Sequence, residues 1–278
     1  MSTISSSCLF INSNLQNFLQ AVTPIVNHNN VTEVEANHES RNGRMKLQDI
    51  WRMYDEWSYY GVGVPVLLES GENVVQYYAP LLSAIQIFMK KPTSTSSNEE
   101  NGFVALQYDS SSDDDATAKS NNGFCKDNLY VNFFETCSPY LRMPFSDKIL
   151  ELAESYPGLL SFYINDIAPA SWMSIAWYPI YQMPQKIIVS KDLETCFLTY
   201  HTLSNSFKAY NNEEEVESTE NRQVLDLSPF GLTTYKMLGD VWNCHQDDDE
   251  KIQDFESAAS SWLSQLNIHQ HDYNFFTQ

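Results

Sequence analysis

The sequence predicts an α+β fold: an antiparallel sheet covered by helices, with disordered acidic insertions. Three observations lead there. The run Ser171–Pro184 holds two tryptophans, two tyrosines, two isoleucines and two methionines in fourteen residues without a charge, the composition of a strand buried on both faces. Thr195–Leu203 is a second β-branched and aromatic run, close enough to pair with the first as an antiparallel hairpin. Helical stripes alternate with these runs irregularly, without the β-α-β rhythm of a parallel sheet or any internal repeat.

Taken in order, Leu15, Phe18, Leu19 and Val22 fall at helical spacing and Pro24 closes that helix. Polar residues from Asn27 to Arg44 form a tether, so residues 1–43 read as a short helix plus linker and 44–278 as one α+β domain. Leu47, Ile50, Trp51, Tyr54 and Trp57 trace one stripe, predicting a single helix over Lys46–Tyr60 that Gly61-Val62-Gly63-Val64-Pro65 stops. Val74–Met89 follows, broken by Pro80; Leu82–Met89 reads as a strand, with a helix as the alternative. Leu129–Thr136 and Pro144–Tyr156 both read as helical, the second stopped by Pro157-Gly158. Val224–Leu238 is a strand candidate interrupted by Pro229 and Gly231. Ile252, Phe255, Ala259, Trp262, Leu263 and Leu266 make the buried stripe of a last helix from about Asp249, with acidic residues at its positive end.

Flexible insertions are expected at about 92–127 and 207–222, where Ser, Asn, Asp and Glu dominate. Ser110-Ser111-Ser112 before three aspartates has the pattern of an acidophilic phosphorylation site, or simply of a solvating loop. With 36 acidic against 16 basic residues the formal charge is −20, a field that repels phosphate backbones and argues against direct nucleic-acid binding. The five cysteines are scattered and form no Cys-x-x-Cys pair, which fits reduced thiols in the cytoplasm or nucleus. No apolar run reaches the ~18 residues of a transmembrane helix.

Several segments carry a family resemblance: Asn14–Leu19, Asp55–Pro65, Val75–Gln86, Ser138-Pro139-Tyr140, Ser171–Tyr181, Cys196–Leu203, Pro229-Phe230-Gly231, Thr234-Tyr235-Lys236 and His271–Phe276. On these the chain resembles the plant family known as domain of unknown function 789, over nearly its whole length apart from the insertions. The resemblance implies a plant source and carries no established catalytic or binding residues.

Common catalytic signatures are absent from the sequence. Cys196 and His201 lie five apart on one strand, on opposite faces, so they do not form a nucleophile pair. His269 and His271, with Asp272, His245 and Cys244, lack a fixed third metal ligand, and a polar tail beyond a helix explains them equally. No metal or other cofactor is expected. Asp55 and Glu56 diverge by about 100° on a helix, too far for one acid–base pair. What remains is aromatic wealth of the type that builds interaction hot spots. The binding candidates are Asp55, Trp57, Tyr60, Trp172, Trp177, Tyr178 and His201. The reading is a non-catalytic protein-binding or scaffold protein with a protein partner. The alternative is an enzyme of unrecognised type with a pocket near His201 and Asp166. An exposed apolar patch would favour the first, converging titratable groups in a cleft the second.

Overall fold

The computed structural model describes residues 12–27, 45–90, 128–180, 191–204, 224–237, 241–242 and 246–278. The expected tether, both acidic insertions, Ser110–Ser112, Cys244 and His245 lie outside the described residues.

The first helix, α1 (Asn14–Ala21), starts at a capping box: Ser13 Oγ accepts the Gln16 N–H, and Gln16 Oε1 accepts that of Ser13. Two donors with no helical partner are thereby satisfied. A short strand, β1 (Ile25–Asn27), follows. The single helix expected over Lys46–Tyr60 is two, α2 (Leu47–Arg52) and α3 (Asp55–Tyr60). Met53 and Tyr54 donate to the carbonyls of Ile50 and Trp51, three residues back, and this tight turn redirects the axis. It lets both Trp51 and Tyr54 reach the core. Gly61, at φ 73°, ends α3. A side chain there would place its Cβ 2.6 Å from Ile180 Cδ1, so glycine is required twice over.

β2 (Val62–Leu67) pairs with the sixteen-residue β3 (Asn73–Phe88). β3 runs straight through Pro80. β2 covers its Asn73–Tyr78 part and β4 (Leu129–Phe134) its Ala84–Phe88 part, on the same flank. Pro80 falls in the gap between them, where that flank has no strand to hydrogen-bond. β4 itself corrects the helical reading of Leu129–Thr136. Its side chains alternate across the sheet, with Val131 fully buried, and pairing with β3 overrides the local helical spacing.

The order continues with α4 (Phe145–Ser155), α5 (Gly158–Ser161, a short turn begun by the expected stop), β5 (Trp172–Ile180) and β6 (Cys196–Thr202). Then come β7 (Val224–Asp226, paired with β1), β8 (Gly231–Tyr235), α6 (Gln246–Leu266) and α7 (His271–Phe276). All ladders are antiparallel and the main path is β2-β3-β5-β6-β8. The fold is α+β, with β5 at the centre of the sheet.

Each face of the sheet has its own core. The first packs α1 to α5 on the sheet through Phe18, Ile50, Trp51, Tyr54, Phe145 and Leu159, against Tyr78, Trp177 and Phe197. The second packs α6 and α7 on Trp172, Leu198 and Tyr200. α6 passes from one to the other: Ile252 belongs to the first core, Ala259 and Leu263 to the second. Gly231 makes that passage possible, because a Cβ there would sit 3.1 Å from both the N and Cβ of Ala259.

Candidate interaction surface

Trp172 and Trp177 are both fully enclosed, in different cores, as five-residue spacing on a strand requires. Trp172 donates its indole N–H to Gln86 Oε1 at 2.9 Å. Trp177 donates to Thr199 Oγ1 at 2.9 Å, and that hydroxyl lies 2.7 Å from His201 Nε2. His201 Nδ1 is 2.7 Å from the Leu227 carbonyl. A carbonyl only accepts, so the network assigns the proton to Nδ1 and leaves Nε2 accepting from Thr199. These contacts tie β5, β6 and the β7 region together inside the protein. Asp166 is exposed, beside Lys90 at the far end of β3, and no described contact joins it to His201. Cys196 belongs to the second core, across the sheet from His201; burial pushes its thiol up to about 12.

Asp55 is exposed at the start of α3 and accepts the Ser146 hydroxyl at 2.7 Å; Ser146 Oγ also lies 3.0 Å from Ser58 Oγ, docking α3 on α4. Trp57 is half-buried against Tyr54 and Trp177. Tyr60 is 75% exposed at the corner where α3 meets the sheet.

The second core contains a polar network that the sequence did not disclose. Arg142 binds Asp272 with two hydrogen bonds of 2.6 Å, and both side chains are 2% exposed. Asp272 also accepts the Ser83 hydroxyl at 2.6 Å. Gln270 donates to Ser83 and Ser174 and accepts from Tyr200, so the start of α7 is bonded to β3, β5 and β6. His271 and Asp272 therefore lie on a docked helix and not in a polar tail. Among the described residues no three His, Cys, Asp or Glu side chains come together as metal ligands.

The helical cover of the second face stops part-way. Phe276 meets Tyr178 edge-on at 6.3 Å, and the buried Tyr178 hydroxyl has no hydrogen-bond partner among the described residues. One step along that row, Ile180 is 37% exposed, and its neighbour Tyr77 is 38% exposed. Across β3 lie Gly63, Pro65 and Leu67 of β2, the latter two exposed. The β2-β3-β5 end of this face is thus an apolar strip that opens onto Tyr60, with no described helix over it. Nearby, the segment after β4 crosses the gap in β3's flank, starting from the bond of Glu135 N–H to the Ser83 carbonyl. It holds Tyr140 98% exposed beside the anchored Arg142.

The family model described as protein of unknown function, DUF789, matches residues 13–276. The chain belongs to this family. The match spans every element from α1 to α7, the polar network and the open strip included. Neither a curated protein nor a solved structure matches the chain. Among the described residues no helix is long and apolar enough to cross a membrane.

Proposed function

We propose that this DUF789 protein is a non-catalytic binding module that docks a protein partner on the β2-β3-β5 face that no described helix covers. The observation that supports this is the row Gly63, Tyr77, Ile180, flanked by Pro65 and Leu67 and bordered by Tyr60. It is apolar, laid out in register on three paired strands, and left open by the described helices, which cover the rest of that face. Of the seven candidates, Tyr178 lies beside Ile180 on this face and Tyr60 adjoins it through Gly61, whereas Asp55 and Trp57 belong to α3 on the other face. Trp177 packs on the opposite face of β5, and Trp172 and His201 lie toward the other end of β5 and β6. Residues 44–278 act as one domain with α1 seated upon it, and five cysteines without a Cys-x-x-Cys pair fit a reducing compartment, cytoplasm or nucleus.

The test is co-purification from extract, comparing wild type with Tyr77→Ser, Ile180→Ser and Tyr60→Ser. Leu150→Ser, which alters an exposed leucine on α4 away from the strip, is the control. The reading expects the same partner lost by the three strip variants and kept by the control, with melting temperatures unchanged. A partner retained by all the variants, or a small molecule whose stabilising effect depends on His201, sinks it in favour of an enzyme.

A further inference from the structure

Resting on that docking reading, we infer that the partner presents a basic amphipathic helix, which completes the helical layer beside α7. Three features select this occupant. The first is shape. At the Gly63–Tyr77–Ile180 row three strands at about 4.8 Å spacing make a shelf roughly 10 Å wide, the diameter of one helix, which β2 and β3 alone continue toward Leu67. The five residues from Gly63 to Leu67 span about 16 Å, or three helical turns.

The second is that an added strand is excluded at the adjoining edge. Asn14 bonds both the N–H and the C=O of Leu67, each at 2.8 Å, and Asn17 donates to the Pro65 carbonyl at 3.1 Å. α1 thereby occupies the outer edge of β2, and a partner has to lie across the face. Helices already do so over the other half, through Ala259, Leu263 and Phe276.

The third is charge. Glu69 and Glu72 flank the β2–β3 turn at the end of the strip, and both are exposed. Of the cations near this face, Arg142 is paired with Asp272 and Lys236 lies over the Tyr235 ring. A chain of formal charge −20 also repels a second copy of itself.

The experiment uses the full chain and three synthetic amphipathic peptides of about 20 residues. They share one leucine pattern, with lysine, glutamine or glutamate on the polar face. Binding is followed by fluorescence anisotropy at low and high salt. The inference expects the lysine peptide to bind roughly tenfold or more tighter than the glutamine peptide at low salt, the gap closing as salt rises. Tyr77→Ser, Ile180→Ser and the Glu69→Gln, Glu72→Gln pair should each weaken it, while Asp113→Asn, Asp114→Asn and Asp115→Asn together leave it unchanged.

Equal binding of the lysine and glutamine peptides, lost in Tyr77→Ser, overturns the basic class and leaves the docking surface standing. Lysine-peptide binding that ignores Tyr77→Ser, or that falls with the Asp113–Asp115 changes, is generic attraction and overturns both. So does the failure of all three peptides to bind. A dimer in sedimentation that Tyr77→Ser abolishes assigns the strip to a second copy instead.

Discussion

Trp177 and Tyr60 belong to the same aromatic wealth in the sequence and do opposite things. Trp177 is sealed among Phe18, Tyr54 and Trp57 with its indole N–H bonded to Thr199, so Trp177→Ala is expected to cost about 3–5 kcal/mol in urea unfolding. Tyr60→Ser, at the exposed corner, should stay within about 0.5 kcal/mol of wild type. Nothing in either local sequence separates them, because burial is decided by which helix lies above. Cys196 makes a second prediction. Its thiol ionises near 12 when folded, so iodoacetamide at pH 8 should leave it unmodified in the native protein and label it in guanidinium. The folded pKa lies above the ordinary value of 9.0, so this stabilising contribution is complete below pH 9 and is lost as pH rises toward 12. Burial raises the phenols of Tyr54, Tyr78, Tyr178 and Tyr200 in the same direction. Melting temperature should therefore fall through this alkaline window, with tyrosinate absorbance appearing together with unfolding.

At the scale of elements, what the sequence made legible is what has a strong local period. The stripes of α1, α4 and α6 and the uncharged run of β5 emerge where spacing places them. β4 escapes a reading by period because Leu-Tyr-Val-Asn-Phe-Phe satisfies either one, and its partner in β3 lies more than forty residues away. α7 was missed because Asp272 looks solvated until Arg142, 130 positions earlier, is beside it. Gly61 and Ile180 meet where α3 leads into β2, a contact that spacing alone does not reveal. The tryptophans of β5 lie inside. α6 supplies the prediction for this scale. Gly231→Ala would push a Cβ against the Ala259 backbone, and is expected to cost about 1–3 kcal/mol by chemical denaturation. Gly71→Ala, whose added Cβ meets nothing, isolates the cost of a positive φ and should be the milder change.

For the whole molecule, the Arg142–Asp272 pair joins the segment between β4 and α4 to the C-terminal helix, across the edge of the second core. Asp272→Ala leaves a buried guanidinium without its carboxylate, and a loss of about 3–5 kcal/mol is expected. Hydrogen exchange should show it: amides of Asp272–Phe276 lose protection first, while β5 and β6 keep theirs. Uniform loss across both cores would mean that α7 is integral to the sheet rather than fastened onto it.

The capping box at Ser13 has one further consequence, for the order in which the protein is made. Ser13 Oγ donates to Asp248, Asn14 to the Val241 carbonyl, and Phe18 lies against Trp242, with sequence separations beyond two hundred residues. α1 leaves the ribosome well before this part of its seat, which is assembled from residues more than two hundred positions later. Such distant closure slows folding, because the loop entropy must be overcome before any contact repays it. A nascent chain halted before Val241 has the helix seated on β2 but lacks the contacts of Ser13 with Asp248, Asn14 with Val241 and Phe18 with Trp242, leaving that side of α1 open to chaperones until synthesis reaches α6.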